Sequence, residues 1–473
     1  MTLKIYNTLT KEKEEFKPIH GNRVGMFVCG LTVQGPAHVG HAKTYTIFDV
    51  VARYLRYRGY SVFYLQNVTD IDDKIINKAK EAGTDTVQVA ERYFREYLED
   101  MKSLNNNSVN LYAKATEYIS EIISQISTLV EKGYAYNADG DVYYEVNKFK
   151  DFGKLSRQVL ENLEAGARVE IDEKKRNPED FVLWKSHKPG EPFWESPWGK
   201  GRPGWHIEDT AITVTHFGAQ YDIHGGATEL MFPHHESEIA QAEAATGKKP
   251  LVKYWMHTGL LNIKGEKMSK SLGNFFTIKE VLEKYPAEVV RFFLINTHYR
   301  SPIDFYDSLL EEAKSSLERM KNTIEELRIR VDSVEDKPGD AEAEKELGEL
   351  LKAAKEKFTK EMDDDFNTRE AIAALFELTR KLNEIFAAKK PVGKAALEKA
   401  VSLYRELGAV LGLFGDSSEK SGRTAELVKL LIEVRESARR QKDFKTADLI
   451  RERLKQLGVS LEDTAEGLKV KKN

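Results

Sequence analysis

The stretch GMFVCGLTVQGPAHVGHAKTYTIFDVVARYLRYRGYSVFYLQNVTD, Gly25–Asp70, decides the fold. It opens on the apolar run GMFVCG. In the TYTIFDVVARYLRYRG that follows, Ile47, Val50, Val51, Tyr54 and Leu55 recur at the 3.6-residue period of a helix with one apolar face. Gly59 is a natural helix stop, because glycine accepts the left-handed backbone that ends many helices. SVFYLQNVTD then reads as a second strand. Strand, helix, strand is the βαβ unit of a Rossmann-type doubly wound parallel sheet, the α/β class, whose ligands bind outside the C-terminal strand ends.

Between the first strand and the helix lies His38-Val39-Gly40-His41. Imidazoles at a helix N-terminus can donate to phosphate oxygens where backbone amides and the macrodipole already favour anions, and Gly40 lets a nucleotide base approach the backbone closely. The plain structural reading, a helix start with ordinary capping, stands beside it. A second segment, GEKMSKSLGN from Gly265 to Asn274, sets Lys267 and Lys270 among serines and glycines. It is either a solvated basic loop or a loop that brings two ammonium groups to a triphosphate as charge builds in the transition state.

Further along, hairpin chemistry is evident in ADGDVYYEV, and four of the five tryptophans, Trp184, Trp194, Trp198 and Trp205, fall in a Gly- and Pro-rich run. Residues 118–201 read as an insertion within the α/β domain, because strand-like patterns resume in WHIEDTAITVTHFG and YDIHGG. The expected organisation is a catalytic domain of residues 1–117 and 202–260, a connective insertion 118–201, and a stem-contact region 261–306. An Ala-, Glu-, Lys- and Leu-rich helical bundle over 307–415, a linker 416–424 and a small C-terminal domain 425–473 follow.

The 473 residues carry 41% hydrophobic and 31% charged side chains with mean hydropathy −0.51, and no apolar run approaches the ~18 residues of a membrane span. The start, MTLKIYNTLTKEKEEF, has no signal-peptide apolar core, so a reducing cytoplasmic location is expected. Cys29 is the one cysteine, which forbids an intramolecular disulfide and every Cys-only zinc knuckle. Net charge is −4, yet from Ala425 onward twelve Lys and Arg face nine Asp and Glu. That local excess of +3 suits either an anionic partner or a solvated helical surface.

With both segments in place the chain resembles class I aminoacyl-tRNA synthetases, whose HIGH and KMSKS motifs His38–His41 and Lys267–Ser271 match. NVTDIDDKI (Asn67–Ile75), FGKLS (Phe152–Ser156), GWHIE (Gly204–Glu208), FPHHESEIAQ (Phe232–Gln241), DDDFNT (Asp363–Thr368) and LGVSLEDT (Leu457–Thr464) narrow the resemblance to the cysteinyl-tRNA synthetase family over essentially the whole chain. It implies a ligase for which cysteine, ATP with Mg²⁺, and tRNA(Cys) are substrates and partners, with a monomer and no membrane expected. It assigns His38, His41, Lys267 and Lys270 to catalysis. Gly30, Thr32, Asp222, His224, Gly225 and Gly226 go with His38, His41 and Lys270 to ATP, and Thr69 and Trp205 to the amino acid.

In FPHHESE, Pro233 suits a first helical position, so His234 and Glu238 share a face at i and i+4, a spacing that lets an imidazole and a carboxylate reach one ion. The resemblance makes them zinc ligands together with Cys29 and a second cysteine after GWHIE. Asp209 stands in that cysteine's place. Either Asp209 ligates, giving a harder site with one thiolate, or it caps something nearby and the site is three-coordinate or empty. A zinc ion that binds the substrate thiolate would separate cysteine from serine without an editing domain. Gln34-Gly35 replaces an aromatic and Asp of the family pattern, and Ala227-Thr228 replaces a third Gly and a small polar residue. Toward the C-terminus, Phe444 and Asp448 lie four apart, suited to stacking on an unpaired base and accepting from a base edge, with Arg439 and Arg440 for phosphates; the plain alternative puts Phe444 in a helix core. Two rival readings are a related ligase that passes activated cysteine to a small amine, and a catalytically dead tRNA-binding paralogue.

Overall fold

The computed structural model describes residues 2–158, 173–263, 265–267, 275–415, 431–432, 434–435, 438–439, 443–456, 459–464 and 467–472. Of 266–267 and of 455 onward it describes the backbone alone. The chain forms two compact units, residues 1–413 and 414–473.

In the first unit a hairpin of β1 (Lys4–Asn7) and β2 (Glu12–Glu15) precedes β3 (Arg23–Thr32), α1 (Val39–Tyr57) and β4 (Ser61–Thr69). Then come α2 (Asp73–Ala82), α3 (Thr86–Ser103), β5 (Leu111–Lys114) and α4 (Ile119–Glu131). After an antiparallel sheet of β6 (Ala135–Ala138), β7 (Asp141–Tyr144), β8 (Phe181–Ser186) and β9 (Gly201–Pro203), the chain returns through α5 (Trp205–Phe217), β10 (Tyr221–Ala227), α6 (Glu236–Thr246) and β11 (Val252–Thr258). The central sheet has the order β11-β10-β3-β4-β5, and all its pairings are parallel. β3 is apolar almost throughout because both faces of such a sheet are covered. Gly59, at φ +87°, follows the last turn of α1, and Asp139-Gly140, both at positive φ, makes the tight β6–β7 turn.

One expectation needs correction here. WHIEDTAITVTHF, read as strand, is the helix α5. Its Ile207 to Thr213 are consecutively buried, so it has no polar face to reveal a helical period, and its β-branched residues imitate a strand.

Beyond β11 a small sheet of β12 (Leu261–Ile263), β13 (Glu266–Lys267) and β14 (Ile303–Phe305) encloses α7 (Ile278–Lys284) and α8 (Ala287–Ile295) in sequence. The Ala-, Glu-, Lys- and Leu-rich stretch forms α9 (Asp307–Ser333), α10 (Ala341–Asp363), α11 (Thr368–Ala387) and α12 (Lys394–Leu411). In the second unit Asp443 caps the helix Phe444–Gln456, accepting from Thr446 N at 3.1 Å, and an antiparallel hairpin pairs Val459–Thr464 with Gly467–Lys472. No described helix is long and apolar enough to cross a membrane.

Arg291 holds α8 to its surroundings. Fully buried, it donates to Leu411 O (2.7 Å), Leu104 O (2.9 Å), Asn106 Oδ1 (2.7 Å) and Asp49 Oδ2 (2.6 Å), joining α1, α8 and the end of α12. Burial alone would raise the Asp49 carboxyl, but Arg291 and Arg53 hold it below its usual range. Gly412, at φ +68°, follows α12 where any Cβ would meet the Arg291 guanidinium. Arg291→Met is therefore expected to destabilise this unit by about 3–5 kcal/mol, the cost of removing one partner of a buried ion pair, as measured by denaturant unfolding. Adding Asp49→Asn should recover part of that loss, and a loss that simply doubles would contradict the pairing.

Candidate active site

The strand order reverses beside β3, since β4 and β5 add to one edge and β10 and β11 to the other. A cleft of about 370 Å³ opens at that point, at the C-terminal ends of β3 and β10. Its walls include Cys29, Gly30 and Thr32 from β3, His38, Gly40 and His41 from the start of α1, Trp205, and Ala227.

His38 is the N-cap of α1. Its Nδ1 accepts from His41 N at 3.3 Å, and His41 Nδ1 accepts from His38 N at 3.3 Å, a reciprocal capping box built from two imidazoles. The rings stack with centroids 3.6 Å apart and planes 19° apart. Because each Nδ1 accepts, the hydrogen-bond network puts the proton of each neutral ring on Nε2. Two Nε2–H donors thus belong to rings that line the cleft at a helix N-terminus.

Behind the cleft wall at Cys29, ligand atoms of Cys29, Asp209 and His234 lie within 4.8 Å of one another, and Glu238, which groups with His224 and His235, meets that set through His234; all are buried. His234 Nε2 is 3.5 Å from Cys29 Sγ, 3.1 Å from Asp209 Oδ2 and 3.1 Å from Glu238 Oε1. Donors bound 2.0–2.3 Å from one tetrahedral ion stand roughly 3.3–3.7 Å apart; the Cys29–His234 separation lies in that range, and the two carboxylate oxygens stand slightly closer to His234. His234 Nδ1 lies 2.7 Å from His206 Nδ1, so the two rings share one hydrogen bond, and burial pushes the His206 pKa down. With the proton on His234 Nδ1, the Nε2 lone pair would face Cys29, Asp209 and Glu238. Both Glu238 oxygens lack hydrogen-bond donors. Burial, then Asp209, pushes the Glu238 carboxyl up; burial, then Asp209 and Glu238, does the same to the Cys29 thiol. Three convergent donors, with the buried Glu238 carboxylate beside His234, are a donor set that a divalent ion would complete.

The structure brings Cys29, Gly30, Thr32, His38, His41 and Trp205 of the expected residues to the walls of this cleft. Pro233 does not begin α6, which starts at Glu236; it belongs to a wider turn, Met231–His235, that still aims His234 at Glu238. Asp222 sits at the N-terminal end of β10, far along the strand from the cleft, with its oxygens accepting from Ile19 N (2.6 Å) and Gly25 N (2.9 Å). It therefore does not line the ribose side. His224 is wholly buried, stacked on Trp255 with centroids 4.2 Å apart, and a Cβ at Gly225 or Gly226 would strike Phe48 or His235. These glycines answer packing against the strand, and none of the three lines the cleft. Thr69 is buried too, its hydroxyl donating to Glu208 at 2.7 Å, whereas Trp205 is 39% exposed and stacks on His234 with centroids 4.1 Å apart. Gln34, Gly35 and Ala227 line the cleft, and Thr228 donates to Thr258 O at 2.8 Å.

Lys270 and Arg440 lie outside the described residues, and of Lys267 the backbone alone is described. In the second unit Phe444 is 58% exposed, so it is not a core residue there; Asp448 is also exposed and pairs with Arg451 at 3.3 Å, and Arg439 is exposed. Sequence reading missed Asn67. Its Nδ2 donates to Asp209 Oδ1 at 2.5 Å while its Oδ1 accepts from Gly30 N at 2.5 Å, and a Cβ at Gly30 would collide with Asn67 O. Its place at the end of a strand and beside the cleft was the available signal. His206 was missed as well, inside the GWHIE string in which Trp205 alone received a role.

Residues 15–315 match the family of tRNA synthetases class I (C) catalytic domains, and residues 357–415 match the DALR domain. The cysteine–tRNA ligase of Thermococcus gammatolerans is 50% identical over 469 residues, covering 99% of this chain and 98% of its own. That of Heliobacterium modesticaldum is 48% identical over 480 residues, covering all of both chains. Among solved structures, the methionyl-tRNA synthetase of Mycobacterium tuberculosis in complex with methionyl-adenylate shares the fold, with a TM-score of 0.63 at 16% identity over 84% of this chain and 93% of its own. A class I catalytic domain, a DALR domain and full-length relatedness at this level mean that the chain belongs to the cysteine–tRNA ligase family of class I aminoacyl-tRNA synthetases.

Proposed function

We propose that this ligase selects cysteine at a zinc ion held by Cys29, Asp209, His234 and Glu238, and charges tRNA(Cys) in two steps. The observation that carries the reading is the buried cluster of Cys29, Asp209 and His234, with Glu238 Oε1 3.1 Å from His234 Nε2. Bound there, zinc supplies a Lewis acid that holds the substrate sulfur as thiolate and leaves serine, whose hydroxyl ionises far less readily, poorly bound. Asn67 holds one Asp209 oxygen and leaves the other facing His234, and a His206 that accepts from His234 Nδ1 would keep His234 in its ligating tautomer. Trp205, stacked on His234 at the wall of the cleft, covers the substrate side chain.

In the first step a carboxylate oxygen of cysteine attacks the α-phosphorus of ATP in line, and the bond to the β,γ-pyrophosphate breaks. His38 and His41 present Nε2–H to phosphate oxygens as charge gathers on them, the backbone at Gly30 and Thr32 borders the nucleotide, and Lys267 and Lys270 add positive charge. Mg²⁺ accompanies the triphosphate. In the second step a terminal ribose hydroxyl of the tRNA attacks the carbonyl and AMP leaves. Phe444 and Asp448, exposed four residues apart on one helix, suit an unpaired anticodon base, with Arg439 and Arg440 on the backbone. The setting proposed is a cytoplasmic monomer. The DALR match and the full-length relatives favour this reading over a small-amine ligase, and the complete H-x-G-H favours it over an inactive paralogue.

Two outcomes test the reading. ATP–pyrophosphate exchange should proceed with cysteine and not with serine, and His41→Ala should lower its kcat by about 10²–10³-fold, the usual effect of removing a transition-state donor; exchange with serine at a comparable rate would contradict it. Zinc affinity, measured by competition against a chelator, should fall about 10–100-fold in Asn67→Ala and further in Asp209→Ala. Unchanged affinity in Asp209→Ala would show that the carboxylate is a cap and not a ligand.

A further inference from the structure

Lys43 lies one turn into α1, directly after the H-x-G-H, and is 2% exposed. Lysine is almost never buried so completely without an anionic partner. Here burial lowers its pKa to about 7, with no carboxylate acting on it. A cation near a helix N-terminus also opposes the macrodipole. The three ammonium protons are nonetheless all used: Nζ donates to Gly259 O at 2.7 Å, Leu260 O at 3.2 Å and Ser301 O at 2.8 Å.

Those three carbonyls share one structural role. Gly259 and Leu260 form the link from β11 into β12, and Ser301 stands just before β14, so the ammonium grips the root of both neighbouring strands of the small sheet. β12 pairs on its other side with β13, which carries Lys267. The root is tightly built, because Ile303 N donates to Leu260 O at 3.0 Å and Gly259 N to Tyr299 O at 2.9 Å, and a Cβ at Gly259 would lie 2.5 Å from Arg300 O. Downstream, the chain returns to the same helix start, where Val39 N donates to Phe276 O at 3.1 Å and Ile278 N to Ala37 O at 3.0 Å. The chain is thus fastened to the helix that presents His38 and His41 both before the Lys267 hairpin, at Gly259 and Leu260, and after it, at Phe276 and Ile278.

We propose that Lys43 is a positioning residue for cysteine activation, fixing the root of the Lys267 hairpin at a set distance from His38 and His41. The proposal rests on the role given above to Lys267. An apolar side chain could fill the same space without the cost of a desolvated charge, but it could not hold three carbonyls of two strands at one point.

A double-mutant cycle in the full-length enzyme tests this by cysteine-dependent ATP–pyrophosphate exchange. Lys43→Met should lower kcat about 10–100-fold, as misplacement of a reacting group does, with the KM for cysteine changed by less than about twofold. Lys267→Ala should lower kcat as well. If Lys43 acts through the hairpin, the double variant falls no more than about threefold below Lys267→Ala alone, because the two losses are one loss. Losses that multiply, or a Lys43→Met enzyme with wild-type exchange, overturn the proposal. Wild-type exchange in Lys267→Ala would instead overturn the role given to Lys267. Lys43→Gln, which keeps two N–H donors, stands in if the methionine variant does not fold; failure of both to fold would make Lys43 a stability residue and also overturn the proposal.

Discussion

A parallel sheet that grows first from one edge of β3 and later from the other leaves the C-terminal end of β3 without a crossover above it, and the chemistry of this molecule depends on that gap. Cys29, Gly30 and Thr32 reach it along β3, and His38 and His41 reach it because the chain must turn there into α1. α5 and the turn before α6 bring Asp209 and His234 to the same point from a part of the chain some 180 residues later. Residues remote in sequence become neighbours because strand order, and not chain proximity, decides who stands at the gap.

The electrostatics of this cluster follow from its burial. A thiol, an imidazole lone pair and two carboxylates cannot share a dry space in their anionic forms unless a cation joins them, which is why burial and mutual repulsion push Cys29 and Glu238 toward their protonated forms. Asp209 changes the character of this cluster by putting a carboxylate where the family pattern has a thiolate. Asn67 meets that change, since its amide satisfies one carboxylate oxygen while its own carbonyl is pinned by Gly30. The capping box of His38 and His41 is a parallel case at the rim: backbone amides consume the inner nitrogens, and the outer ones are left with protons.

Local signals made much of this legible in the sequence. The 3.6-residue period of Ile47 to Leu55, the Asp139-Gly140 turn and the i, i+4 spacing of His234 and Glu238 each express a constraint that acts within a few residues, and each corresponds to an observed element or contact. α5 was hidden because a helix buried on all sides loses its periodic pattern. Asp222, His224, Gly225 and Gly226 form a compact string with the look of a binding motif, yet successive residues of a strand spread along its length and onto opposite faces. Asp222 therefore ends at the far edge of the sheet, and the glycines serve Phe48 and His235. Asn67, His206 and Lys43 could not be found from spacing, because what gives each its meaning is a partner at least 28 residues away.

The central claim is that the buried Cys29, Asp209, His234 and Glu238 set is a cation site that reads the substrate's sulfur. Zinc K-edge X-ray absorption on the purified enzyme tests it directly. The account predicts a first shell of about one sulfur and three nitrogen or oxygen donors in the free enzyme, and about two sulfurs once L-cysteine is added, with no change on adding L-serine. A shell that keeps a single sulfur in the presence of cysteine, or a purified enzyme that retains no zinc, would contradict it.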